Sequence, residues 1–258
     1  MSKFIWHDLM TPDMDGAQKF YGKVIGWDIV DAGMPDGNYR LCNAGKATAD
    51  GMNGVGGMMG FRPEDDKKIP PFWSGYIHTP DVSKSAHQAV KLGGKIFREP
   101  TIVPETVEFA ILLDPSGAMF NIMRPIPKGE LKVFPPATPG TMGWNELHSG
   151  DWKQAWDFYQ AMFGWEKHQT MEMGPVGTYQ TFGLDGVSFG GMMNKRAEMP
   201  RPYWNYYWNV ASCAATVKDI AENGGTIWFG PMQVPGGSWI VNAGDPQGAA
   251  FAITSLKE

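Results

Sequence analysis

The chain has 258 residues, 43% of them hydrophobic and only 19% charged, enough apolar material for one large core or two of ordinary size. A formal charge of −5, with no run of Lys or Arg longer than the pair Lys67-Lys68, leaves no electrostatic footprint for nucleic acid. No segment approaches the apolar length of a membrane span and the N-terminus does not read as a signal peptide, so a cytoplasmic chain with neither membrane nor nucleic-acid partner is expected.

Residues 4–10 have the period-two character of a strand. Residues 13–27 read DMDGAQKFYGKVIGW, in which Ala17, Phe20, Tyr21 and Val24 stand at i, i+3, i+4 and i+7, one apolar face of a helix. Asp13 is a natural N-cap, and Gly26 can take the left-handed conformation that stops the helix. Short strands follow at 27–30 and 39–43, then a Gly-rich passage ending Gly56-Gly57-Met58-Met59. That run lacks the Lys and following helix of a phosphate loop, so close strand approach explains it better. Residues 62–71 are charged and bounded by proline, as in an exposed linker.

A second unit begins at 72–79 with a strand, continues as a helix over 81–92 closed by Gly93-Gly94, and ends in strands at 95–97, 108–113 and 118–123. Asp114-Pro115-Ser116-Gly117 has hairpin turn chemistry. The passage 125–140 carries Pro125, Pro127, Pro135 and Pro136, which lock φ and lack a donor, so it reads as an extended linker. The whole plan then returns. A strand at 142–148 precedes residues 151–165, DWKQAWDFYQAMFGW, with Asp151, Ala155, Phe158-Tyr159 and Gly164-Trp165 in the places of Asp13, Ala17, Phe20-Tyr21 and Gly26-Trp27. Gly190-Gly191-Met192-Met193 corresponds to Gly56-Gly57-Met58-Met59, and Gly224-Gly225, Pro231 and Asp245-Pro246 with Gly248 repeat Gly93-Gly94, Pro100 and Asp114-Pro115 with Gly117 at a constant offset of 131. The expected domains are 1–124 (units 1–61 and 72–124) and 141–258 (units 141–194 and 203–258), joined by 125–140. The fold class is α+β, four βαβββ units paired into two domains, each a curved mixed sheet with its helices outside. Cys42 and Cys213 lack metal-type spacing and read as buried small hydrophobes.

Tandem βαβββ units with D-x-x-x-A-x-x-F-Y-x-x-x-x-G-W in the first of each pair, and a Gly-Gly stop plus D-P-x-G-A hairpin in the second, resemble the vicinal oxygen chelate superfamily. That group includes glyoxalase I, extradiol dioxygenases and the fosfomycin and bleomycin resistance proteins. The resemblance implies that metal-dependent members carry His, Gln or Glu on the first strand of each unit and Glu on the last. Aligned on the strand-to-helix junctions, this chain has Trp6, Ser74 and Asn121 there in one half, and Trp144, Asn205 and Ala252 in the other. Trp and Ala offer a metal no lone pair, and neutral Ser and Asn oxygens bind a transition metal poorly.

Alternation along the strands places Trp6, Asp8, Ser74, Tyr76, His78 and Asn121 on the concave face of the first half. Trp144, Glu146, His148, Asn205, Tyr207 and Asn209 share that of the second. Aromatic groups with a few polar ones are the make-up of a small-molecule pocket, suited to an aromatic or planar ligand. The expected function is therefore a glyoxalase-like binding protein with no cofactor. The alternative is a metal-dependent lyase or dioxygenase of glyoxalase or extradiol type, holding a divalent metal with a shifted ligand set built from Glu146 with His148 or Asp8 with His78. A third class uses carboxylate and imidazole as acid and base without metal, and for it Glu146 and His148 are the catalytic candidates. The repeat leaves open whether one or both cavities work, and which oligomer forms.

Overall fold

The computed structural model describes residues 2–48, 53–62, 69–126 and 133–258. The expected linkers at 62–71 and 125–140 therefore fall partly outside the described residues. Each half forms one eight-stranded sheet. The first contains β1 (Phe4–Thr11), β2 (Trp27–Asp31), β3 (Arg40–Ala44), β4 (Gly54–Gly60), β5 (Phe72–His78), β6 (Lys95–Val103), β7 (Val107–Leu113) and β8 (Met119–Pro125), in the order β2-β3-β4-β1-β5-β8-β7-β6. The second contains β9 (Met142–Ser149), β10 (Glu166–Glu172), β11 (Thr178–Leu184), β12 (Val187–Asn194), β13 (Tyr203–Asn209), β14 (Thr226–Gln233), β15 (Trp239–Gly244) and β16 (Ala250–Ser255), in the corresponding order. Both sheets are mixed, with β1 parallel to β4, β5 parallel to β8 and the remaining described pairs of the first sheet antiparallel. Strand β6 runs to Val103, well past the 95–97 expected, and passes through Pro100. It lies at the end of the strand order, where a missing N–H breaks no central ladder.

The helices are α1 (Met14–Val24), α2 (Val82–Lys91), α3 (Trp152–Phe163) and α4 (Cys213–Glu222). Asp13 caps α1 by accepting from Gly16 N at 2.9 Å, and Asp151 caps α3 by accepting from Lys153 N at 2.9 Å. Gly26 and Gly164 follow with φ of 81° and 71°, the left-handed stops that the sequence called for. None of these helices is long and apolar enough to cross a membrane.

By packing, the chain divides into two compact units. One comprises Met1–Ile5, Ser74–Glu130 and Asn145–Asn205, and the other Trp6–Trp73, Leu131–Trp144 and Tyr206–Glu258. The first holds α2 packed on α3, and the second holds α1 packed on α4. Each unit thus draws one helix from each half of the chain.

The motif residues explain this exchange. In the second unit the hydroxyl of buried Tyr21, on α1, donates to Asp245 Oδ2 at 3.0 Å and accepts from Trp73 Nε1 at 2.9 Å. In the first unit Tyr159, on α3, donates to Asp114 Oδ2 at 3.3 Å and accepts from Trp204 Nε1 at 3.0 Å. Asp114 and Asp245 open the two D-P-x-G-A hairpins, and their other carboxylate oxygens accept from the backbone of Ala118 and Ala249. The tyrosine of each F-Y motif therefore binds the hairpin aspartate of the opposite half. Aromatic rings surround both networks, Trp165 stacked on Phe182 at 4.5 Å in one unit and Trp27 edge-on to Trp208 at 4.6 Å in the other.

Candidate functional site

The first strand of each half carries a carboxylate, and the same local device surrounds it both times. Asp8 on β1 lies in register with Gly57 on β4, and Glu146 on β9 lies in register with Gly191 on β12. Because these glycines have no side chain, a tyrosine can lie across each of them. A Cβ on Gly57 would sit 2.1 Å from the Tyr39 hydroxyl, and one on Gly191 would sit 2.4 Å from the Tyr179 ring. The tyrosines thereby reach the carboxylates, Tyr39 OH donating to Asp8 Oδ1 at 2.7 Å and Tyr179 OH to Glu146 Oε2 at 2.9 Å. The preceding glycines let the strand backbones approach, and Gly190 also makes room for the Phe182 ring, 2.3 Å from where its Cβ would sit. A Cβ on Gly56 or Gly190 would meet the carbonyl oxygen of His7 or Asn145 at 2.5 Å. The Gly-Gly pairs thus combine close strand approach with a seat for an aromatic ring. Tyr39 and Tyr179 were absent from the sequence-derived site, although their repetition ahead of the Gly-Gly pairs is visible in the sequence.

Beyond this shared device the halves differ. In the first, Trp6 Nε1 donates to Asp8 Oδ1 and to Tyr39 OH, both at 2.9 Å, closing a three-membered cluster. Trp6 and Asp8 thus share a face, whereas His7 is buried and packs edge-on against Tyr206 and Trp208. Leu9 and Leu147 are fully buried. In the second half, Glu146 Oε1 lies 2.9 Å from His148 Nε2, and the imidazole stacks on Tyr203 with centroids 4.9 Å apart and planes 19° apart. Burial first, and then the Glu146 carboxylate, push the Tyr203 phenol up to about 12, with Arg196 pulling the other way. Tyr203 is therefore a proton-bearing donor at neutral pH. Arg196 also lines a depression of about 330 Å³ with Pro175, Val176, Asn194, Lys195, Ala197 and Glu198. Tyr203 and Arg196 were likewise not singled out from sequence; nothing in the repeat pattern marks them, since tertiary packing brings Tyr203 to His148 and Arg196 within electrostatic reach of Tyr203.

The other expected residues fall as follows. Asn121 Nδ2 donates to Ser74 Oγ at 2.8 Å, and both residues are buried. Tyr76 pairs in register with Asn121 and packs near Phe109, its ring centroid 6.3 Å away, while His78 ends β5 half-buried. Asn205 and Tyr207 are buried on β13, where Tyr207 lies in register with Ala252. Asn209 Nδ2 donates to Thr141 Oγ1 at 3.1 Å, and its side chain fills the space that Gly143 leaves open. Trp144 lies half-buried on β9. Among the described residues no three His, Cys, Asp or Glu side chains converge in a metal-binding cluster. The largest such grouping at these positions is the pair Glu146 and His148, fewer than the three protein ligands of an ordinary catalytic metal site.

Residues 3–122 match the model of the Glyoxalase/Bleomycin resistance protein/Dioxygenase superfamily. The chain is 28% identical over 254 residues to a putative glyoxylase, CFP32, of Mycobacterium bovis, covering 96% of this chain and 92% of that one. It is also 28% identical over 271 residues to the anthracycline biosynthesis protein DnrV of Streptomyces peucetius, covering 98% and 93%. Among solved structures it is similar to the Mn(II)-bound glyoxalase from Novosphingobium aromaticivorans, with TM-score 0.70, 16% identity and coverage of 100% of this chain and 84% of that one. Homoprotocatechuate 2,3-dioxygenase from Brevibacterium fuscum in complex with 3,4-dihydroxyphenylacetate gives TM-score 0.69 at 12% identity, covering 99% and 81%. At these identities the structural likenesses establish the fold.

Proposed function

We propose, from the match of residues 3–122 to the Glyoxalase/Bleomycin resistance protein/Dioxygenase superfamily, that the chain is a member of that group and binds a planar small molecule without using a divalent metal. The observation that carries this reading is the chemistry of the positions where the family resemblance implies ligands. They hold Trp6, Ser74 and Asn121 in one half and Trp144, Asn205 and Ala252 in the other, and Ser74 and Asn121 are hydrogen-bonded to each other. This donor set does not fit a manganese, iron or zinc ion, all of which favour imidazole, carboxylate or thiolate. The groups that remain are aromatic planes and directed hydrogen bonds, which suit flat, partly polar ligands. The relatives support that ligand class, one named for anthracycline biosynthesis and one solved with 3,4-dihydroxyphenylacetate.

We assign the working site to the second half, where Glu146, His148, Tyr179 and Tyr203 form the polar end and Arg196, which acts electrostatically on Tyr203, lines a depression. Trp144, Asn205, Tyr207 and Asn209 belong to the same expected face, and Trp6, Asp8, Ser74, Tyr76, His78 and Asn121 to its counterpart. The repeats 1–124 and 141–258 are taken as the two sheet-forming halves of the chain, each supplying one such face.

The test begins with protein purified without an affinity tag and dialysed against a weak chelator. Titration with 3,4-dihydroxyphenylacetate should quench tryptophan fluorescence saturably, and the quench should weaken in Trp144→Leu. Stoichiometric manganese, iron, nickel or zinc that survives dialysis and is lost in Glu146→Gln would overturn the reading in favour of a metal-dependent lyase or dioxygenase.

A further inference from the structure

We propose that the second half is a metal-independent proton-transfer site, in which His148 Nδ1 takes an acidic C–H or O–H proton from the planar bound molecule while Glu146 holds the imidazole. The proposal rests on the binding reading above and adds a reaction to it. Three observations carry it. First, Glu146 Oε1 lies 2.9 Å from Nε2, which in a neutral imidazole fixes the N–H on Nε2 and leaves the lone pair on Nδ1. Second, Glu146 is itself immobilised, because Tyr179 donates to its other oxygen and lies on Gly191. Third, His148 is only 8% exposed, and its Nδ1 is buried with no hydrogen-bond partner among the described residues. Buried polar atoms are almost always partnered, so a buried nitrogen left with its lone pair is open to a donor from outside the chain.

Stacking on Tyr203 fixes the ring plane, leaving the imidazole little freedom to turn its lone pair elsewhere. Once Nδ1 is protonated, the new positive charge lies beside the Glu146 carboxylate, which stabilises it without moving. The first half lacks this capacity. Met10 stands on β1 where His148 stands on β9, and Asp8 is engaged by Trp6 and Tyr39.

The step balances without oxidant or reductant. A bond forms between Nδ1 and the proton as the ligand's C–H or O–H bond breaks, and the electron pair stays on the ligand as an enolate or phenolate. Return of the proton to another atom of that conjugated anion completes an isomerisation. The substrate class is thus a planar carbon acid or phenol rather than a thiol adduct or a catechol awaiting oxygen. Glu146 acts as a positioning residue, since it meets the imidazole rather than the substrate.

The probe is 5-nitrobenzisoxazole, a planar carbon acid. Removal of its C3 proton breaks the ring N–O bond and releases a coloured cyanonitrophenolate, with the proton passing from His148 to water. Chelator-treated full-length protein should accelerate this elimination. His148→Ala should lower kcat about 100-fold, at the lower end of general-base effects, with KM nearly unchanged. Should that variant fail to fold, His148→Phe keeps the stack on Tyr203 and should show the same loss. Glu146→Gln should lower kcat with KM nearly unchanged, and Glu146→Asp should recover part of it. Nitrogen-15 NMR should show His148 as a single Nε2-protonated tautomer in the wild type and a mixture in Glu146→Gln. Equal rates in wild type and His148→Ala, or an Nδ1-protonated wild-type ring, would overturn the proposal. Fluorescence quenching reads binding of the probe separately. Binding without turnover overturns proton transfer alone, whereas failure to bind counts against the binding reading and removes the proposal with it.

Discussion

Removing a single oxygen from Tyr21 tests how the two halves of the chain are held together. In Tyr21→Phe the ring stays in its aromatic cage, but Trp73 Nε1 loses its acceptor at 2.9 Å and Asp245 Oδ2 its donor at 3.0 Å. All three residues are buried, with exposures of 0%, 6% and 5%, so water cannot readily take the place of the hydroxyl. Each buried polar group left without a partner costs about 1–3 kcal/mol, which brackets the variant, with two such groups, at about 2–6 kcal/mol. Asp245 Oδ1 keeps its bonds from Gln247 N at 3.0 Å and Ala249 N at 2.8 Å, so the hairpin survives and the lower half of that range is expected. Tyr159→Phe removes a longer bond, 3.3 Å to Asp114, and should cost less. Urea unfolding followed by both fluorescence and far-ultraviolet circular dichroism gives the two losses on one scale. An unchanged midpoint for Tyr21→Phe, or a larger loss for Tyr159→Phe than for Tyr21→Phe, would refute the reasoning.

Asp245 also carries a pH signature. Burial outweighs its hydrogen bonds from Ala249 and Tyr21 and raises its carboxyl above the ordinary value, so the stability it contributes is fully present below about pH 3.9, the unfolded value, and is lost as pH rises through the folded one. The penalty of Asp245→Asn should accordingly be largest in acid and shrink towards neutrality; a penalty that grows with pH would contradict this. Gly191→Ala places a Cβ 2.4 Å from the Tyr179 ring and should cost about 1–3 kcal/mol by overpacking, with Tyr179 pushed off Glu146. Gly190→Ala meets the Asn145 backbone at 2.5 Å, which cannot swing aside, and should cost more in the same urea assay. Both thiols are fully buried, and burial pushes Cys42 well up and Cys213 up, so neither should react with a disulfide reagent at neutral pH until the chain unfolds. Rapid labelling of native protein would count against the packing around them.

The periodicity of residues 13–27 and 151–165, the caps at Asp13 and Asp151, and the stops at Gly26 and Gly164 were legible because each is a local property. The chain within a few residues decides whether a helix starts, which face is apolar and where it ends. Repetition then made the four units visible, and with them the two α+β sheets. The same reasoning put Phe20-Tyr21 and Phe158-Tyr159 in the core, where they lie, but could not say what their hydroxyls meet. Tyr21 finds Asp245 and Tyr159 finds Asp114, each from the opposite half of the chain, and no spacing within one repeat encodes that choice. The site divides in the same way. Alternation placed Glu146 and His148 on one face of β9, because side chains two apart on a strand must share a face. Tyr179 lying across Gly191, Tyr203 stacked on His148 and Arg196 beside Tyr203 come from strands and loops brought there by the sheet order. A sequence specifies the side chains that each strand presents, whereas the partners they meet follow from which strands become neighbours, and that is settled only when the whole sheet is assembled and its apolar faces are buried.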